Sequence, residues 1–245
     1  MPSTPAAPKL QEPSREESER KAAASAQAPT GGQKATDGLE DAKEREVQMV
    51  WFRSGTHGPE GGTSPLKIRV APNRSGKVGV AFMEEFMGGA GESMRSAGWA
   101  ASFHAAQAAG TSIADHEFVF RTGGRSDGSS ASMLSAAATL AALLDVPVRQ
   151  DSTMTGTINP DGTCGPVGGI EHKMKGAKEA GIKRFGIPMG LRQQVNRETD
   201  DTLDLFDHAR ELGLEVKEIP DLATAYEWMT GQKLPQRTEV GEATL

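Results

Sequence analysis

The stretch MTGTINPDGTCGPVGGIEHKMKGAKEAGIKRFGIP, residues 154–188, decides the fold. Its first half holds two short apolar segments around Asn159-Pro160-Asp161-Gly162, a turn in which proline fixes φ and glycine accepts a positive one, so two short strands are expected there. Its middle has helical spacing from Ile170 to Ala180 and stops at Gly181. Its end, IKRFGIP, is strand-like. Projected at about 100° per residue, Ile170, Met174, Ala177 and Gly181 form one stripe of the helix, with Lys175 and Glu179 opposite. Lys173 falls on the edge of the apolar stripe. Two readings of it are open. A desolvated lysine has a lowered pKa and can take a proton from a hydroxyl. A snorkelling lysine packs its stem and keeps its ammonium in water.

Working outward, a second helix spans about Ser130 to Leu144, with Met133, Leu134, Ala137, Leu140, Ala141 and Leu144 on one side and Pro147 beyond its end. Before it lies the polar loop TGGRSDG. Ser130 sits at the junction, where exposed backbone N–H groups and the helix dipole can either stabilise an oxyanion or simply be capped by Asp127, Ser129 or Ser130. Further upstream the pattern gives a strand at 117–121 and a small-residue helix over 92–109, carrying Met94, Ala97, Ala101 and Ala105. Strands are expected at 77–82, 66–70 and 47–52. The turn 73–76 suits a hairpin or a short connection, and the glycine-rich segment 54–65 reads as a loop. Downstream come a helix near 201–212, a strand at 214–219 and a last helix after Pro220-Asp221.

These elements make one α+β domain over residues 46–233, flanked by a tail at 1–45 and a polar tail at 234–245. Residues 1–45 contain no aromatic residue and only Met1, Leu10 and Leu39 as large aliphatic ones. Such a segment buries too little apolar area to offset its conformational entropy and is expected to be disordered.

The whole chain of 245 residues carries 27 Lys plus Arg against 33 Asp plus Glu, a net charge of −6 that argues against binding through nucleic-acid phosphates. One cysteine, Cys164, excludes an internal disulfide and a zinc site built on several thiolates. No run approaches the roughly 18 apolar residues of a membrane span. The start lacks the basic-then-apolar order of a secretory signal, so cytoplasmic residence is the expectation, or export or anchoring if a longer start exists. No G-x-x-x-x-G-K-[ST] run is present, so ATP is not expected to bind this chain, and no cofactor or metal is called for. The five histidines, His57, His104, His116, His172 and His208, are scattered. A Ser-His-Asp hydrolase using His116 or His172 would also lack the G-x-S-x-G elbow.

SDGSSAS (126–132), followed by residues 154–188, resembles the proteolytic domain of Lon proteases, the Ser-Lys peptidase family. Its DGPSAG-like, MTGE-like and GG-hydrophobic-x-x-K motifs fall here on Ser130, Thr155 and Lys173, with no insertion or deletion between serine and lysine. SGKVGVAFMEEFMGGAGESMRSAGWAASF (75–103) is similar to the family's G-K-hydrophobic strand and G-[DE]-x-M-[KR]-x-S helix. The resemblance implies a Lon proteolytic fold of the ribosomal protein S5 domain 2-like type, small sheets packed with helices. It also implies a serine endopeptidase: Ser130 as nucleophile, Lys173 as base, Thr155 positioning the lysine and Asp127 ordering the loop.

The sequence departs from the pattern at several positions. Ser129 and Ser132 replace a proline and a glycine, Thr157 replaces a frequent acid, and His172, expected to face outward, replaces a glutamate. Residues 1–45 stand where the family usually carries an AAA+ unfoldase. Polypeptide substrates, self-assembly into rings of six, and a separate AAA+ ATPase for folded substrates are therefore the implied partners. The alternative is a catalytically silent domain of the same fold acting in oligomerisation or as an adaptor.

Overall fold

The computed structural model describes residues 41–235, apart from 57, 86–87, 125 and 196–200. The tails read at 1–45 and 234–245 thus fall almost wholly outside the described residues. The first strand, β1 (Lys43–Gly55), starts four residues before the apolar run that marks it in the sequence.

β1 pairs antiparallel with β2 (Gly58–Pro72) along its whole length, from Lys43 opposite Val70 to Gly55 opposite Gly58. The expected loop at 54–65 is therefore wrong: all but the tip of that segment is strand. Its glycines serve close approach rather than turning. Gly62 lies opposite Trp51, and a side chain there would collide with the indole. Gly61 faces the other way, where a Cβ would come within 1.8 Å of the His172 carbonyl oxygen. Glycine lets one face of β2 accept Trp51 and the other accept a helix at backbone distance.

β4 (His116–Thr122) pairs antiparallel with β2, and β3 (Gly79–Glu84) pairs parallel with β4, giving the order β1-β2-β4-β3. The turn at 73–76 is thus a short connection and not a hairpin, because β4 inserts between the strands it joins. Asn73 fastens that connection, its side-chain amide donating to the Ala114 carbonyl at 2.9 Å.

Two helices cover this sheet. α1 (Glu92–Ala109) matches the helix read from the sequence and buries Met94, Ala97, Ala101 and Ala105. α2 (Ser132–Leu143) starts two residues later than expected and is buried almost all round, packed against α1, β1, β2 and the final helix. A helix enclosed on every side needs no polar face. Leu134 and Leu140 are wholly buried, and each such side chain contributes about 2 kcal/mol of apolar burial.

The other half of the domain is a three-stranded parallel sheet, β11-β8-β5, from β5 (Ser152–Met154), β8 (Arg184–Pro188) and β11 (Glu215–Ile219). A hairpin of β6 (Thr157–Ile158) and β7 (Cys164–Gly165) closes on the Asn159 to Gly162 turn. α3 (Ile170–Glu179) follows, then a small hairpin, β9 (Gln193–Val195) and β10 (Thr202–Asp204), that the sequence reading missed. α4 (Leu205–Leu212) is capped by the Asp204 carboxylate and α5 (Leu222–Thr230) by that of Asp221. Ile170, Met174 and Ala177 of α3 pack with Val50, Phe185, Ile187 and Leu205 in a second apolar cluster. Among the described residues no helix is long and apolar enough to cross a membrane. The small sheets and intervening helices form an α+β domain.

Candidate active site

Lys173 is in the second turn of α3, and the contact of that helix with β2 sets its depth. A Cβ on Gly176 would lie 2.3 Å from the Gly62 backbone nitrogen, and one on Gly61 would overlap the His172 carbonyl. Gly61 and Gly176 therefore let α3 rest on the strand backbone. Gly169 starts the helix in the left-handed region, at φ 65°, where a side chain would also strike Phe52. Lys173 is consequently only 3% exposed. Burial lowers its pKa from the usual value to about 8, with Glu171 pulling weakly the other way. The ammonium has no carboxylate partner among the described residues, and it donates to Thr155 Oγ1 at 3.1 Å.

Thr155 is fully buried just past β5. Its N–H donates to the Gly186 carbonyl at 3.1 Å, holding it to β8. Its hydroxyl donates to the Ser130 carbonyl at 3.3 Å, and the Gly156 N–H donates to the same oxygen at 2.8 Å. The structure thus joins Lys173, Thr155 and the Ser130 backbone in one chain of hydrogen bonds.

Ser130 lies in a short 3-10 turn, Ser129–Ala131, ahead of α2. None of Asp127, Ser129 and Ser130 caps α2: its N-cap is Ala131, with no side-chain hydrogen bond. The three neighbouring serines have different surroundings. Ser129 is exposed and Ser130 half-buried, and both line the same cleft of about 670 Å3 as Lys173. Ser132 is buried, its hydroxyl accepting the Ile158 N–H at 2.8 Å. Lys173 Nζ hydrogen-bonds Thr155 rather than Ser130. The carboxylate of Asp127 accepts the Ser93 N–H at 3.0 Å and so ties the serine loop to the first turn of α1.

Trp51, Phe52 and Arg53 of β1 form the cleft wall that the sequence reading did not assign to the site. Arg53 lies over the Trp51 ring and pairs with Glu60 of β2. Thr157, Pro166, Val167 and Gly168 border the cleft from the hairpin side. His172 does not face outward as expected: it is half-buried and stacked on Phe52 with ring centres 5.9 Å apart. His116 contacts Thr111 at 3.1 Å, and neither histidine lines the cleft. The Cys164 thiol is pushed up to about 12 by burial, and it too lies outside the cleft. Among the described residues no group of three or more His, Cys, Asp or Glu could hold a metal ion.

An α+β domain that brings a serine-bearing turn, a buried threonine and a buried lysine to one cleft is the class of protein defined here. Residues 76–208, more than half of the chain, match the Lon protease (S16) C-terminal proteolytic domain, and the chain belongs to that family. It is 42% identical over 79 residues to an archaeal Lon protease of Halobacterium salinarum, which covers 32% of this chain and 11% of that protein. Over 69 residues it is 45% identical to an archaeal Lon protease of Pyrococcus abyssi, covering 28% of this chain and 7% of the other. A Lon protease of Geobacter metallireducens is 48% identical over 62 residues, 25% of this chain and 8% of that protein. The matched segments thus span about a tenth or less of these relatives' own length.

Proposed function

We propose that the chain is a serine endopeptidase acting on peptides and unfolded polypeptides. The observation that carries this reading is a lysine 3% exposed, with a pKa lowered to about 8, in the same cleft as Ser130. At pH 7 about one Lys173 in ten is neutral, enough to act as a base. The Ser130 hydroxyl attacks the peptide carbonyl and passes its proton to the Lys173 amine. The resulting ammonium protonates the leaving amine, and water then hydrolyses the acyl-enzyme by the same path. Thr155 keeps the amine on the cleft side of α3. The Ser130 N–H, with one from residues 127–129, stabilises the oxyanion. Asp127 acts at one remove, by holding the loop to α1.

No cofactor enters this scheme, and nothing in the chain's sequence provides a phosphate cradle for ATP. In this reading peptides are cleaved without ATP, and folded substrates are first opened by an unfoldase. The domain assembles with further copies of itself. The second reading, a silent domain serving oligomerisation, is favoured only by the absence of a direct Ser130–Lys173 hydrogen bond. The two readings separate on treating the purified chain with a fluorophosphonate and a fluorogenic peptide, with and without ATP. The peptidase reading requires Ser130-dependent labelling and turnover in both conditions, whereas a silent domain gives neither.

A further inference from the structure

A second cleft, of about 590 Å3, opens on the other side of β6. Thr157 lines the serine cleft, and the next residue, Ile158, lines this one, as the alternation of a strand dictates. Opposite Ile158 stand Trp99 and Phe103, one helical turn apart on α1 and 45% and 50% exposed, with Val78 and Ile113 completing an apolar lining. The exception is His104. It is 7% exposed, lines the cleft, and makes no hydrogen bond to any described residue. A concave apolar surface with one buried polar group that makes no hydrogen bond, its ring set edge-on to Phe103, has the make-up of a binding site.

We propose that this cleft is an exosite for a neutral, apolar polypeptide segment, one aromatic or branched side chain filling it and a backbone amide of the segment pairing with His104. Eight residues line it, against the 20 to 30 per side of a typical stable interface, so it suits a short segment better than a second copy of the chain. Charge narrows the ligand further. The Asp161 carboxylate, held ionised by the Thr163 hydroxyl at 2.7 Å and N–H at 3.0 Å, acts on His104 and repels an acidic headgroup. Fatty acids and aromatic carboxylates are thereby disfavoured, and an amide is not. As the exosite of a peptidase, this inference rests on the function proposed above; as a binding site it does not.

The test separates the two by using the inactive Ser130→Ala chain. A capped decapeptide of Gly and Ser with one central Phe, its Phe→Ala counterpart, and phenylacetate are titrated while the backbone amide signals are followed by NMR. Saturable shifts at Ala100, His104 and Ile158 are expected with the Phe peptide, weaker by about tenfold with the Ala peptide or in Phe103→Ser, whose half-exposed ring can be lost without unfolding. No saturable shift, shifts unaffected by Phe103→Ser, or tighter binding of phenylacetate would each overturn the proposal. So would movement of the same signals with protein concentration alone, which identifies a second copy as the occupant. Expected shifts in a chain whose unmutated form cleaves nothing would sink the peptidase reading and leave the site standing.

Discussion

The ammonium of Lys173 rests 3.1 Å from the hydroxyl of Thr155, and the two side chains are 3% and 0% exposed. A charge placed there has one neutral partner and almost no water, which accounts for a pKa near 8. Activity should track the neutral amine. The pH profile of kcat/KM for a neutral peptide is expected to rise with a midpoint near 8, well below the roughly 10.4 of an ordinary lysine. A profile still climbing at pH 10 would remove Lys173 as the base.

The same burial should cost stability. In the unfolded chain the lysine titrates near its ordinary value, so the folded state binds fewer protons between that pH and 8. The penalty is absent at pH above about 10.5, grows as pH falls to 8, and is constant below, reaching about 3 kcal/mol. Lys173→Met removes it but leaves Thr155 without its donor, a loss of about 1 kcal/mol. Thermal unfolding at pH 7 should therefore show a net gain of about 2 kcal/mol, or about 5 °C, together with loss of activity. An unchanged or lowered Tm would indicate that the lysine is hydrated.

Thr155→Val keeps the shape and deletes the hydroxyl that joins Lys173 to the Ser130 carbonyl. A fall in kcat of about tenfold to a hundredfold with little change in KM is expected, equivalent to about 1.4 to 2.7 kcal/mol, and Thr155→Ser should recover most of it. Equal losses in the two variants would assign Thr155 to packing alone.

Gly61→Ala tests the backbone contact that buries the lysine. Its Cβ would fall 1.8 Å from the His172 oxygen, so α3 must move or the hairpin must open. A loss of about 2 to 3 kcal/mol in chemical denaturation is expected, with activity reduced further than the folded fraction explains. Gly190→Ala, where φ is 83° and a Cβ meets nothing within 4 Å, serves as a control that introduces backbone strain but no collision.

Much of this domain was legible in the sequence. The stripe Ile170, Met174, Ala177 placed Lys173 at the apolar edge, and the structure buries it there. The turn at 159–162 and the stop at Gly181 stand where the residue chemistry put them. The misread loop at 54–65 has a tertiary cause. Glycine reads as a loop signal locally, yet Gly61 and Gly62 are in a strand because α3 and Trp51 lie against them, a fact of tertiary packing invisible to local pattern. The β1 wall of the cleft was missed for the same reason, since the long hairpin carries Trp51 and Phe52 to the site. The late start of α2 has another origin: the Ser130 carbonyl and the Ser132 hydroxyl accept N–H groups from residues 156 and 158, which holds the serine turn out of the helix.

In the proposed mechanism Ser130, among three serines in four positions, is the nucleophile. Fluorophosphonate labelling followed by peptide mass mapping, on the unmutated chain and on Ser129→Ala, Ser130→Ala and Ser132→Ala, tests it directly. The adduct should map to Ser130 and vanish only in Ser130→Ala, while Ser132→Ala, which orphans the buried Ile158 N–H, loses about 1 to 3 kcal/mol of stability but keeps its label. An adduct on Ser129 or Ser132, or full labelling and turnover in Ser130→Ala, would contradict the account.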